Sequence, residues 1–351
     1  MQQIKGAKRL ALTRDGRMTW CTSPEEKIGW GRCNHIAHAH AGETSESFGI
    51  RAEALLDALE SNNAPALNVT TMNGNISSPS GMQAKWYDEK EDIWYKLDRN
   101  GSYDGLAECL VSDLLDHTDI QHAKYSMTWM KTAHGELQTG CESKNFLKLG
   151  EELITWNELV QNPGELYHDK SMKQQFDALL QTVTNHFNMN DEQVRNVRSY
   201  MLKTLALDYI TLNTDRHLGN LAFVIKVDAK SGIEYVKPAP LFDHGGALGV
   251  NWNAHMYHHG MSISEVEGKS PLATFTSDEP EDYLDLVHEC LEEDASLDDM
   301  LVISDADGLF KYLEEYEAEQ YGTDIPKRSA QLLLRRLKNS ECYAWIRKGG
   351  S

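Results

Sequence analysis

The chain has 351 residues, enough for about two domains or lobes. Its 54 acidic and 34 basic residues give a formal net charge of -20, which argues against broad contact with DNA, RNA or an anionic membrane, since both need Lys and Arg to offset phosphate charge. An apolar fraction of 40% with 25% charged residues excludes wholesale disorder, and no run approaches the roughly 20 apolar residues of a membrane span.

In chain order, the opening MQQIKGAKRLALT lacks the apolar run of a secretory signal. The cysteines Cys21, Cys33, Cys109, Cys141, Cys290 and Cys342 are scattered, the pattern of free thiols in a cytoplasmic protein. Residues 1–75 form an N-terminal extension or small module of unclear fold. Met18–Cys21 is a short strand candidate, and Arg51–Leu59 reads as a helix with Ala52, Leu55, Leu56 and Leu59 on one side. Ser61-Asn62-Asn63-Ala64-Pro65 ends it, and Asn68–Ser80 is a polar boundary.

From Gln83 the pattern changes. Lys85–Tyr87 and Ile93–Leu97 are strands joined by the charged turn Asp88–Asp92. Leu106–Leu115 reads as a helix, and Ala123–Met130 and Gly135–Cys141 as a second hairpin. Two strands, a helix and two strands make a small α+β unit. After Leu149 the character is helical, with long amphipathic segments at Ser171–Phe187 and Asp191–Leu212. Leu221–Ile225 and Ile233–Lys237 are strands around the turn Lys230-Ser231-Gly232, and helices are expected over Pro280–Glu293, Leu297–Leu301, Asp305–Tyr321 and Pro326–Ile346. Between Asp278 and Glu319 the single basic residue is Lys311, which reads as a solvated acidic face.

The sharpest feature is Asn213-Thr214-Asp215-Arg216-His217-Leu218-Gly219-Asn220, where a long helix runs out before a strand. Asp243 follows the second strand and precedes Gly245-Gly246. Phosphoryl transfer needs one carboxylate facing the attacking hydroxyl. It also needs another carboxylate and an amide oxygen on Mg²⁺, which prefers hard oxygen ligands. A hairpin between Asn220 and Asp243 brings them to one side of a cleft.

Asp215-x4-Asn220 followed by Asp243 resembles the catalytic loop and metal-binding aspartate of protein kinases and phosphoinositide kinases. Asn213-Thr214-Asp215-x-His217-Leu218-x-Asn220 and Phe242-Asp243-His244-Gly245 look most like HipA, the kinase of bacterial toxin–antitoxin modules. Ser78-Pro79-Ser80-Gly81-Met82-Gln83-Ala84-Lys85 resembles the phosphate loop of that family in Gly81, Gln83 and Lys85. Lys96, in Trp94-Tyr95-Lys96-Leu97-Asp98, looks like the kinase lysine that binds the α- and β-phosphates. Glu108 on the next helix looks like its glutamate partner.

The resemblance covers roughly residues 76–330. It implies a two-lobed, protein-kinase-like α+β fold, with a small mixed N-lobe over 76–149 and a mainly helical C-lobe over 150–351. It implies ATP and Mg²⁺ as cofactors and Asp215 as catalytic base. Asn220 and Asp243 would hold the metal, and Ser78, Ser80, Gly81, Gln83, Lys85, Lys96 and Glu108 would line the nucleotide site. An adenine hinge is expected near Cys141–Leu149. The family pattern further implies transfer to a Ser/Thr hydroxyl of a protein, autophosphorylation of Ser78 with Ser80 as second candidate, and an antitoxin-like regulator. Pro79 departs from the usual loop, and residues 1–75 do not read as the domain that precedes the kinase core in HipA. Two other readings stay open: a phosphoinositide or small-molecule kinase, and a pseudokinase acting as an interaction module.

Cys21, Cys33, His35 and His38 form a separate cluster of the residue types that bind Zn²⁺. It contains no Cys-x2-Cys pair and matches no finger spacing, so exposed or hydrogen-bonded histidines are the plainer reading. His255, His258 and His259 read as an ordinary loop group.

Overall fold

The computed structural model describes residues 9–12, 18–21, 34–38, 85–88, 90–99, 102–131, 137–160, 170–228, 232–250, 281–293, 301–318, 324–339 and 346–348. Near the N-terminus, β1 (Arg9–Leu12), β2 (Met18–Cys21) and β3 (Asn34–His38) form an antiparallel sheet in the order β2-β1-β3. Of these, β2 was expected; β1 and β3 are too short to show a clear period of two.

The second sheet is the scaffold of the N-terminal half of the site. It contains β4 (Lys85–Asp88), β5 (Ile93–Leu97), β6 (Tyr125–Lys131) and β7 (Leu137–Lys144), antiparallel throughout in the order β4-β5-β7-β6. The β4–β5 turn closes because Asp88 Oδ1 accepts from the backbone N–H of Lys90 at 2.9 Å and of Glu91 at 3.3 Å, and Asp92 takes a left-handed φ of 57°. Against the sheet lies α1 (Asp104–Asp116), burying Leu106, Ala107, Leu110, Val111 and Leu114. Gly105 permits this closeness: a Cβ on it would lie 2.8 Å from the backbone carbon of Gly140 on β7.

A third sheet joins the two halves. Glu151–Thr155 forms β8, and it pairs antiparallel with β9 (Ala222–Asp228), which in turn pairs with β10 (Gly232–Pro238). The expectation of helical structure directly after Leu149 is corrected here by strand β8, because Glu151-Glu152-Leu153-Ile154-Thr155 has too few apolar residues to announce a strand. The one-turn helix α2 (Trp156–Leu159) follows, closed by the Thr155–Glu158 capping box.

The long helices α3 (Met172–His186) and α4 (Asp191–Thr211) begin at the capping boxes Ser171/Gln174 and Asn190/Gln193. Phe176, Leu179 and Val183 of α3 meet Val197, Met201 and Leu205 of α4 in the main core, which also takes in Trp156, Phe223 and the inner face of α1. The tail comprises α5 (Glu281–Glu293), β11 (Leu301–Ile303), α6 (Ala306–Glu314), α7 (Ile325–Lys338) and β12 (Ile346–Lys348).

Three expectations fail in this tail. Leu301 lies in a strand that pairs in parallel with β12; the helix expected over Asp305–Tyr321 stops at Glu314; and that over Pro326–Ile346 stops at Lys338. Asn339 leaves the helical region at φ -68°, ψ 136°, and Ile346, where the expected helix ended, lies in β12 instead. Among the described residues, no helix is long and apolar enough to cross a membrane.

Candidate active site

The register of the β4–β5 hairpin sets Lys85 directly opposite Lys96. Like charges across a strand pair repel, and carboxylates from two distant segments offset them. Lys96 Nζ lies 2.5 Å from Glu108 Oε1 on α1, 3.0 Å from Asp243 Oδ1 and 3.1 Å from the Tyr125 hydroxyl. Lys85 Nζ lies 3.2 Å from Asp243 Oδ2. Each carboxylate oxygen of Asp243 therefore holds one ammonium. Glu108, fully buried, also accepts from the His244 backbone N–H at 2.7 Å through Oε2, so one side chain ties the sheet, α1 and the Asp243 segment together.

Burial would raise the Asp243 carboxyl, but Lys96 and Lys85 outweigh it and hold the group well below the usual carboxylate range. Lys96 resists the pull of burial and stays well above the ordinary lysine value because Asp243 and Glu108 flank it. Burial raises Glu108 despite the opposing Lys96. Asp243 itself has a left-handed φ of 63°, unusual for a residue with a side chain.

The second half of the site grows out of the end of α4. Leu212 caps the helix in a left-handed conformation, φ 53°, and turns the chain back on itself. Asn213 Nδ2 donates to Asp208 Oδ1 at 2.9 Å, while Asn213 Oδ1 accepts from the Asp215 backbone N–H at 3.2 Å. Thr214 N–H donates to the Gly246 carbonyl at 3.2 Å, bringing the Asp243–Gly246 segment against this loop. A Cβ on Gly246 would lie 2.5 Å from Asp215 Cβ, so only glycine permits the approach. The Asp215 carboxylate makes no hydrogen bond to a described residue.

Asn220, in the 3₁₀ turn Leu218–Asn220, donates Nδ2 to the Asp215 carbonyl at 2.8 Å. That bond fixes the amide so that Oδ1 is its uncommitted atom. With the Asp243 carboxylate, this oxygen makes a hard donor set of the kind Mg²⁺ takes.

A buried core of the site was not singled out from sequence. Arg216 is fully buried; its Nε and Nη2 bind Asp208 of α4 at 2.9 and 3.1 Å, and its Nη1 donates to the Phe242 carbonyl at 2.8 Å and the Asn220 carbonyl at 3.3 Å. Nη2 also lies 3.0 Å from His244 Nδ1, which must accept. Burial, then the charges of Arg216 and Lys96, push His244 well below the ordinary histidine value. The Asp208–Arg216 pair could have been sought as opposite charges at one end of a helix, but nothing in their spacing marks it.

Arg99 was missed as well. Its Nε and Nη2 bind Asp104 at 3.0 and 2.7 Å, and the charges of Asp215 and Asp243 act on it in turn.

Beside Asp243 lies an apolar group formed by Ala222, Val224 and Ala239 with Phe146, Leu147, Leu153, Tyr235 and Phe242 around them. Phe146 and Phe242 face each other with ring centroids 6.1 Å apart. Phe146 and Leu147 fall within the stretch where the hinge was expected.

Of the expected site residues, Lys85, Lys96, Glu108 and Asp243 touch one another, and Asp215 and Asn220 share the adjoining loop. Ser78, Ser80, Gly81 and Gln83 lie outside the described residues, as do Cys33 and the histidines at 255, 258 and 259. The strand register puts Arg9 opposite both Cys21 and His38, with His35 opposite Ala11. Among the described residues, no three His, Cys, Asp or Glu side chains gather to hold a metal ion.

No protein-family profile and no curated protein matches the chain. Among solved structures, the chain is similar to a Helicobacter pylori proinflammatory kinase, CtkA, at 14% identity and a TM-score of 0.50, over 75% of this chain and 89% of that one. It also matches HipA of Shewanella oneidensis MR-1, solved with HipB and operator DNA, at 12% identity and a TM-score of 0.36, over 81% of this chain and 70% of that one. The expected kinase-like α+β fold is therefore the fold of this chain, shared with the H. pylori kinase.

Proposed function

We propose that the chain is an ATP- and Mg²⁺-dependent kinase that phosphorylates a Ser/Thr hydroxyl of a protein. The observation that carries this reading is the convergence of Lys85 and Lys96 on Asp243, next to a loop that presents Asp215 and Asn220. Lys96, fixed by Glu108, is placed to hold the α- and β-phosphates, and Lys85 supplies a second cation there. The apolar face of Phe146, Leu147, Val224 and Phe242 offers the purine a surface. Asn220 Oδ1 and the Asp243 carboxylate would hold Mg²⁺, which when bound neutralises phosphate charge. The uncommitted Asp215 carboxylate accepts the proton of the attacking hydroxyl as its oxygen bonds to the γ-phosphorus and ADP leaves. Positioning and fixed charge supply most of the rate.

Calorimetry with ATP and Mg²⁺ tests the binding half of this reading. Wild type is expected to bind, Lys96→Met to bind at least about tenfold more weakly, and Asp215→Ala to bind as wild type does. Equal binding by wild type and Lys96→Met would contradict the phosphate role of Lys96. Binding without any phosphoryl transfer would favour the pseudokinase reading.

Ser78 and Ser80 are the proposed autophosphorylation sites, where a phosphate would crowd the ATP phosphates and switch the enzyme off. Phosphopeptide mapping after ATP incubation checks this. Absence of phosphate on both serines in a preparation that turns over ATP would end the proposal.

A further inference from the structure

We infer that Arg216 is the positioning residue of the metal site: its guanidinium sets the spacing and orientation of Asn220 and Asp243. This rests on the reading that those two residues hold the metal. A guanidinium presents its donors in one rigid plane. In Arg216 one edge of that plane is fastened to α4, through Asp208 at 2.9 and 3.1 Å. The rest reaches the two segments that bear the proposed ligands. Nη1 donates to the Phe242 carbonyl, immediately before Asp243, at 2.8 Å, and to the carbonyl of Asn220 itself at 3.3 Å. Nη2 meets the His244 ring, immediately after Asp243, at 3.0 Å.

Asp243 is thus bracketed on both sides and held in its left-handed backbone, φ 63°, by the group that also holds Asn220. The two ligand positions are also joined by the β9–β10 hairpin, whose register is shifted between Ile233 and Tyr235, and their segments meet through the Thr214–Gly246 hydrogen bond. A hairpin with an irregular register is a poor ruler, whereas a planar fork anchored on a long helix is a good one. Lysine would keep the charge beside Asp208 but lacks the fork.

The plainer alternative is that Arg216 only neutralises buried Asp208. Arg336 provides the control, since it is also buried and donates to the Tyr209 and Ile210 carbonyls of the same helix at 2.7 and 3.3 Å. The full chain is titrated with Mn²⁺ in the presence of excess ADP, and bound metal is read by electron paramagnetic resonance at a temperature where each variant is folded by circular dichroism. Arg216→Lys is expected to weaken Mn²⁺ about tenfold or more, while metal-free ADP affinity stays within about twofold. Arg336→Lys is expected to lower the melting temperature and leave Mn²⁺ affinity within about twofold of wild type. Should Arg216→Lys fail to fold, Asp208→Asn loosens the anchor with the guanidinium in place and is expected to weaken Mn²⁺ in the same direction.

Wild-type Mn²⁺ affinity in Arg216→Lys, or in Asp208→Asn where that stands in, would overturn the inference and leave the kinase reading intact. Failure of the wild-type ADP complex to take Mn²⁺ would overturn the metal reading itself, and the inference with it.

Discussion

Lys96 and Glu108 show how strongly single residues are committed at this site. Both are buried, and each has another partner in the Asp243–His244 segment. Removing one member of a buried pair leaves the other charge uncompensated, a loss of about 3–5 kcal/mol. Lys96→Met is therefore expected to lose stability in that range in urea unfolding. The double variant Lys96→Met/Glu108→Leu should lose clearly less than the sum of the two single changes.

His244 gives the site a pH signature. Its native pKa is depressed by burial, Arg216 and Lys96, with Asp243 opposing and His122 adding, while the unfolded chain binds a proton near pH 6.5. Below that pH the unfolded state takes up a proton that the native state refuses. The contribution is therefore complete above about pH 6.5 and lost as pH falls, with a limiting slope of about 1.4 kcal/mol per pH unit. His244→Asn, which keeps an acceptor for Arg216, should flatten stability against pH between about 7 and 5 relative to wild type. Identical slopes would show that His244 is not the group responsible.

At the scale of elements, the approach of α1 to β7 decides whether Glu108 reaches Lys96. A methyl on Gly105 would meet Gly140 backbone at 2.8 Å and push the helix outward. Gly105→Ala is expected to cost about 1–3 kcal/mol of stability and to weaken nucleotide binding more than an equally destabilising change elsewhere in the core. Thermal unfolding with and without ATP checks both parts.

The hairpins, α1, α3 and α4 were legible because strong periods of two or 3.6 run through them and caps or turns mark their ends. Strand β8 was not, because its only clear support is the neighbouring β9, which lies about 70 residues further on in sequence. The bound of α7 was overrun for a related reason: Ile346 belongs to β12, which only its partner strand β11 distinguishes.

At the scale of the whole molecule, the fold of a kinase persists at 14% identity with the H. pylori protein. On the proposed reading, Asp215, Asn220, Asp243 and Lys96 are the residue types that phosphoryl transfer would need, and their order in the chain stood out before any contact was known. Arg216 and Asp208 were silent because their meeting depends on the left-handed cap at Leu212, which folds the loop back onto the helix it has just left. No local pattern announces such a reversal when the cap is a leucine rather than a glycine.

The central claim is tested most directly by incubating wild type and Asp215→Ala with γ-labelled ATP and Mg²⁺, together with a bacterial protein extract. Label on the chain or on an extract protein, present with wild type and absent with Asp215→Ala, is the predicted result. Equal labelling by both would contradict the assignment of Asp215 as the base that receives the hydroxyl proton.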